Sequence, residues 1–230
     1  MIKKGISQDT LKLIACAAML IDHVGVIFGL GLKWRAIGRL AFPIYCFLLT
    51  EGARHTRNPQ KYALRLAVGA VLAEFAFDFS FYGHWTWLHQ SVMLTLLLGF
   101  CAIELMKGCP NILSKVLVVI PFVLIAQWLN TDYHWYGVLL VILFAVAWEL
   151  PHKWLLLICG MTVLFLMMPS AVKTIFGIRI PVQLFGLASL VPIALYSGKK
   201  KTNSKIAQWA YYLFYPVHML ALRLLWLVLR

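Results

Sequence analysis

Acidic side chains are scarce: there are eight in 230 residues, against 21 lysines and arginines. Charged residues of both signs make up 13% of the chain, about half of the roughly 25% carried by ordinary soluble domains. So little charge cannot coat a water-facing surface. Cysteine is sparse too. Cys16, Cys46, Cys101, Cys109 and Cys159 show no CxxC spacing and no pairing pattern, which argues against a disulfide framework and a cysteine zinc site. There is no HExxH, no GxGxxG, no P-loop and no nucleophile-elbow motif. Nothing in the sequence asks for a metal. Low-complexity tracts, internal repeats and linkers are missing as well.

What fills the chain is apolar sequence. Hydrophobic residues make up 62%, and the mean hydropathy is +0.84. A spanning helix needs about 20 apolar residues, so the chain has room for about eight or nine. The predicted spans are 10–31, 35–53, 60–81, 89–106, 112–130, 136–150, 153–169, 180–197 and 205–229. The expected fold is all-α: one polytopic transmembrane bundle over 1–230, with its N-terminus inside and its C-terminus outside. The first stretch, Leu11 to Leu32, is too long for a signal-peptide core and is read as a retained helix.

Cytoplasmic loops collect Lys and Arg, and that accounts for the net charge of +13. With the N-terminus inside, the inner segments hold Lys3, Lys4, Arg54, Arg57, Lys61, Arg65, Lys107, Lys115, Lys153, Lys199, Lys200, Lys201 and Lys205. The outer ones hold mainly Lys33, Arg35, Lys173 and Arg179, and Arg230 ends outside. Trp34, Trp85, Trp87 and Trp135 fall at outer turns, as in an interfacial aromatic belt. The partner implied is the lipid bilayer, not nucleic acid. Pro43, Pro121, Pro192 and Pro216 fall within spans, so a kink is expected near each.

The few acids are the informative residues. An ionisable group at the centre of a spanning helix costs about 2.5–3.5 kcal/mol on insertion scales, and such groups turn towards a partner or a wet cavity. Asp22 and His23 lie on the outer half of the first span. Arg39 and Glu51 lie near opposite ends of the second. Glu74 and Asp78 share one face of the third by i,i+4 spacing. His218 follows Pro216 in the last. These predict one polar cavity lined by spans one, two, three and nine. A structural reading stands beside this one: His23 as a satisfied interior histidine, Glu74 and Asp78 as glue to Arg39 or Arg65, and Glu51 in a local pair with Arg54 or His55. His84 and His89 flank an outer turn and read as surface groups.

Five segments carry a family resemblance. They are LKLIACAAMLIDHVG at 11–25, GRLAFPIYCFLLTEGARHTRN at 38–58, DYHWYGVLLVILF at 132–144, SLVPIALYSGKK at 189–200 and YYLFYPVHMLAL at 211–222. In these the chain resembles the TraX family of integral membrane proteins, and more distantly the acyltransferase-3 type of transmembrane acyltransferase. The resemblance implies acetyl transfer from cytoplasmic acetyl-CoA to an extracytoplasmic acceptor in a bacterial plasma membrane. The acceptor implied is the N-terminal amine of a pilin, with another exported peptide or an envelope glycan as alternatives. In the acyltransferase-3 type an Arg precedes an essential His by eleven positions; here Lys12 precedes His23 by that interval. Lysine keeps the cation but loses the bidentate fork.

On this resemblance His23 is the general base, or is transiently acetylated. Asp22 is its neighbour about 100° round the helix. Glu74 or Asp78 orients the imidazole, and Arg39 stabilises the oxyanion. Lys12, Arg54, Arg57, Lys199 and Lys200 would hold the CoA nucleotide, while Glu51 and His218 line the cavity. Two other classes use the same residues differently. A proton-coupled transporter also needs intramembrane acids and a histidine. A non-catalytic envelope assembly protein needs them only for stability.

Overall fold

The computed structural model describes residues 5–175, 177–199 and 204–229. Lys3, Lys4, Lys200, Lys201 and Arg230 lie outside the described residues. The chain divides into two compact units, Met1–Leu48 with Met161–Arg230, and Leu49–Gly160. Apart from one short hairpin, the described elements are helical.

The first unit begins with α1 (Gln8–Ile27), capped by Ser7, whose hydroxyl accepts from the Thr10 amide at 3.2 Å. Gly29 and Gly31, both at positive φ, turn the chain into α2 (Leu32–Gly38). The α1–α2 pair is close because two glycines permit it. A Cβ on Gly25 would strike Trp34, and one on Gly38 would overlap the Asp22 carboxyl. Small residues at helix contacts are how membrane helices approach each other.

The expected second span, 35–53, is broken. α2 ends at Gly38 and α3 starts afresh as Ala41–His55. Pro43 supplies the reason, since it has no N–H to offer the Arg39 carbonyl four residues back. Pro43 therefore sits in the first turn of α3 rather than at a kink, and Pro192 likewise falls within the five-residue α9 (Leu190–Ala194). Pro121 and Pro216 are interior to their helices, as expected.

The expected eighth span differs as well. β1 (Val172–Ile175) and β2 (Ile178–Pro181) form an antiparallel hairpin, with Ile175 opposite Ile178. Gly177, at φ +81°, sits in its turn. A 3-10 stretch, Val182–Ser189, follows and runs into α9. The unit closes with α10 (Lys205–Leu229). Near the N-terminus, Ile6 pairs with Tyr196 through bonds from the Ile6 amide to the Leu195 carbonyl (2.9 Å) and from the Ser197 amide to the Ile6 carbonyl (3.0 Å). Leu11, Ala15, Ile44, Phe47, Met161, Ile193 and Met219 form its core.

The second unit is built from α4 (Pro59–Phe81), α5 (Val92–Met106), α6 (Ile112–Trp128), α7 (His134–Ala147) and the start of α8 (Lys153–Met167). Asn58 caps α4 through the Lys61 amide at 2.9 Å, with Pro59 in the first turn. Asn111 and Ser114 form a capping box on α6. Gly99 admits Val141, and Gly160 admits Leu143, where helices cross.

The outer faces are apolar. On α6, Ile112, Leu113, Leu117, Leu124 and Trp128 are all exposed, as are Leu155, Ile158 and Leu166 on α8. Water penalises contiguous apolar surface on that scale, whereas lipid does not. Two helical segments, Gln8–Ile27 and Trp209–Leu229, are long and apolar enough to cross a membrane by length and composition. The segments Val92–Met106, Ile112–Trp128, His134–Ala147, Lys153–Met167 and Val182–Ala194 are apolar but shorter than the expected spans, because turns and caps take their ends.

Candidate functional site

The first unit gathers its ionisable groups where α1, α2, the 3-10 stretch and α10 meet the same few residues. Asp22, about four turns from the end that Ser7 caps, is buried. Arg35 Nη1 donates to its Oδ2 at 2.7 Å, and Arg39 Nη2 donates to both oxygens at 2.9 Å. Arg35 and Arg39 are four apart on either side of the α2 terminus, so both guanidiniums reach one carboxylate. Arg39 also donates through Nε to the Arg35 carbonyl at 3.3 Å, and through Nη1 to Gln183 Oε1 at 3.2 Å. The side chains of Arg39 and Asp22 are 12% and 10% exposed, against 34% for Arg35. Such a pair is costly to break, at about 3–5 kcal/mol, because the survivor is left buried and charged.

His23 points elsewhere. Its Nδ1 lies 2.7 Å from Nε2 of His218, and the rings stack at 4.9 Å with 20° between their planes. Tyr215 meets both rings edge-on at 5.8 Å. His218 Nδ1 lies 2.6 Å from the Phe214 carbonyl. A carbonyl oxygen only accepts, so His218 Nδ1 carries a proton. In neutral His218 the other nitrogen, Nε2, is then an acceptor, and His23 Nδ1 must donate to it. The proton of neutral His23 thus sits on Nδ1, and its lone pair on Nε2. The tautomer follows from the backbone of α10, one turn before His218.

The cation end of α1 is separate. Lys12 Nζ lies over the Tyr211 ring at 4.8 Å. The Gln8 amide donates to the Lys199 carbonyl at 2.8 Å, which places Lys199 beside the first turn of α1, one turn before Lys12. Lys200 lies outside the described residues. Cys16 Sγ is 3.2 Å from the Tyr45 hydroxyl.

Glu51, Glu74, Asp78, Arg54 and Arg57 belong to the second unit. Glu74 accepts from the Ser91 amide at 2.8 Å, and Asp78 from the Thr86 amide at 3.0 Å. Their partners are loop amides where Arg39 or Arg65 was expected, because the buried N–H groups of the 82–91 loop also need acceptors. Glu51 pairs with His55 at 3.7 Å, one of the two partners expected for it. Arg54 and Arg57 are exposed. His84 is exposed, while His89 packs on Phe77 and lies 3.9 Å from Asp132.

The sequence reading missed Gln183 and the pairing role of Arg35. The i,i+4 spacing of Arg35 and Arg39 was a visible signal. Nothing local marks Gln183, which depends on the 3-10 stretch for its position. Its Nε2 is a buried donor with no hydrogen-bond partner among the described residues, a condition that costs about 1–3 kcal/mol.

No solved structure matches the chain. A curated relative from Dichelobacter nodosus, named as a probable fimbrial assembly protein FimC of serogroup H1, is 31% identical over 93% of both chains. The family model described as TraX protein matches residues 7–226, from the cap of α1 to the last turns of α10 and across both units. The chain belongs to the TraX family.

Proposed function

We propose that this protein is a membrane-embedded acetyltransferase of pilus assembly, with His23 as its general base. The observation that carries the reading is the line from the Phe214 carbonyl through His218 to His23, which presents Nε2 of His23 as the basic nitrogen. A base must first be held in the right tautomer, and a hydrogen bond to its other nitrogen does this in other acyl-transfer sites. The relative's name supports a fimbrial setting, and family resemblance supports the amine of a pilin N-terminus as acceptor.

In the reaction, His23 Nε2 removes a proton as the acceptor amine bonds to the thioester carbonyl carbon. The carbon–sulfur bond breaks, and His23 returns the proton to the departing thiolate. The products are an N-acetylated acceptor and free CoA. Lys12 and Lys199, at one end of α1, suit the anionic nucleotide end of the donor, and eleven residues of helix span about 16 Å from Lys12 to His23. Arg39, already bonded to Asp22 and Gln183, acts best as a fixed positive charge beside the base. The chain crosses the membrane nine times, with its N-terminus inside, so that donor and acceptor approach from opposite faces.

The test uses purified protein in liposomes with radiolabelled acetyl-CoA and a synthetic pilin N-terminal peptide. Labelled peptide is the expected product. His23→Ala should lower the rate about 10²–10⁴-fold while still folding, with an unfolding temperature lowered only by the loss of the bond to His218. His218→Gln, which keeps a donor and an acceptor, should retain more activity than His218→Ala and shift the pH profile. Full transfer by His23→Ala sinks the assignment. Proton-driven solute uptake without acetyl-CoA favours the transporter.

A further inference from the structure

In the second unit, the last turn of α3 and the end of α5 lie beside the start of α4, and three contacts hold them there. The Lys107 ammonium, just after α5, donates to the Ala53 carbonyl of α3 at 2.7 Å. Gly52 of α3 lies against α4, since a Cβ on it would come within 2.6 Å of the Tyr62 hydroxyl. The Tyr62 ring in turn meets the Phe100 ring of α5 at 4.6 Å and carries the Arg65 guanidinium at 5.3 Å. Arg54, Arg57 and Lys61 therefore share one corner, with Arg57 and Lys61 on either side of the Asn58 cap.

The charge gathered here is one-sided. Residues 51–65 and 104–115 hold six lysines and arginines against two acids, Glu51 and Glu104. Glu51 faces His55, and Glu104 accepts from Lys107 at 2.6 Å. The side chains of Arg54, Arg57 and Lys61 are exposed and have no ion pair or hydrogen bond among the described residues. On α4 these cations run straight into hydrocarbon. Lys61, Leu64, Val68 and Val71 fall at i, i+3, i+7 and i+10, which is one face of a helix, and all four are exposed. Water suits the first of them and penalises the other three.

We propose that this corner binds an anionic phospholipid, with its phosphate among Arg54, Arg57 and Lys61 and an acyl chain along Leu64, Val68 and Val71. Lysines and arginines clustered at the end of a membrane helix attract anionic headgroups, and the apolar stripe below supplies the place for a chain. The stripe also separates a lipid from the CoA nucleotide expected at Arg54 and Arg57, because a nucleotide has no hydrocarbon to lay along it. The proposal rests on the helices facing lipid and holds whether or not the protein transfers acetyl groups.

The test releases purified full-length protein from detergent micelles that hold phosphatidylglycerol and phosphatidylcholine in equal amounts with the same acyl chains, and native mass spectrometry counts the lipid retained. Wild type should keep phosphatidylglycerol over phosphatidylcholine by about tenfold or more, since each cation near an anionic headgroup is worth about fivefold in affinity. Arg57→Gln and Lys61→Gln should each cut that preference about fivefold and unfold at the wild-type temperature, as exposed and unpaired side chains should; either one carries the comparison if the other does not fold. Lys153→Gln removes a cation that already lies over the Trp148 ring at 4.0 Å, and should leave the preference unchanged. Equal retention of the two lipids by wild type overturns the proposal. A loss in Lys153→Gln as large as in Lys61→Gln overturns it as well, because overall charge would then explain the preference. So does displacement of phosphatidylglycerol by an equal concentration of glycerol 3-phosphate, since the headgroup alone would then suffice. Acetyl-CoA that competes with the lipid, and binds more weakly to Arg57→Gln, would return the corner to the nucleotide and overturn the lipid assignment.

Discussion

Adjacent residues on α1 face different tasks. The Asp22 side chain is tied into a charge cluster and His23 into a histidine pair, because successive helical side chains diverge by about 100°. Their substitutions should separate accordingly. Asp22→Asn leaves two guanidiniums facing each other with no carboxylate, and should destabilise the protein by about 3–5 kcal/mol. Gly38→Ala should do comparable damage without touching any charge, since its Cβ occupies the space of the Asp22 carboxyl. Both would show as a lower unfolding temperature in detergent. His23→Gln should leave that temperature nearly unchanged, which makes it the cleaner probe of chemistry. Equal unfolding temperatures for Gly38→Ala and wild type would show that α1 and α2 are not held as close as described.

At the scale of elements, the second unit depends on two carboxylates that hold a loop. Glu74 and Asp78 lie one turn apart on α4, and each accepts an amide from the 82–91 segment. The partner loop is pinned in turn. The Asp132 amide donates to the Gln90 carbonyl at 2.8 Å, and the Thr95 hydroxyl donates to the Asp132 carbonyl. Asn130, Tyr133 and His134 all sit at positive φ there, a backbone state that persists only where its surroundings enforce it. Asp78→Asn should loosen both loops together, with faster amide exchange at Thr86 and Asp132 while α5 stays protected. Exchange confined to Thr86 would show that the two loops are independent.

The elements also show how much the sequence disclosed. Apolar runs located α1, α4, α5, α6, α7, α8 and α10 to within a few residues, because each is one uninterrupted helix. The break at Arg39 was signalled by Pro43, but hydropathy averages across such a break. The hairpin at Val172–Pro181 was missed because it lies almost wholly in the outer segment between the predicted spans 153–169 and 180–197, which was read as a loop. Its alternation, with Gly177 in the turn, was the available clue. At the site, Asp22, His23, Arg39 and His218 stood out as polar groups in apolar runs. What they bond to was not legible, because the His23–His218 pair joins residues 195 apart.

For the whole molecule, the Lys/Arg distribution makes a definite statement about sidedness. Single cysteines placed on a cysteine-free background at Gly108 and His84 should label from opposite faces of sealed vesicles. With the N-terminus inside, Gly108 reacts from the cytoplasmic face and His84 from the outer face. Labelling of both from one side would remove the proposed nine-crossing arrangement, and with it the proposed approach of donor and acceptor from opposite faces.

The two units differ in how their chain is assembled, and this sets an order of events during synthesis. Leu49–Gly160 is one continuous stretch, whereas the other unit joins the first 48 residues to the segment from Met161 onwards. Asp22 meets Arg35 and Arg39 within 13 and 17 residues, so its charge is neutralised soon after α1 emerges from the ribosome. His23 waits for His218, 195 residues later, which takes about 10–40 s at 5–20 residues per second. A chain stalled before α10 would therefore already hold its ion cluster, while His23 would still lack the histidine that sets its tautomer. The histidine pair is complete only with the last helix.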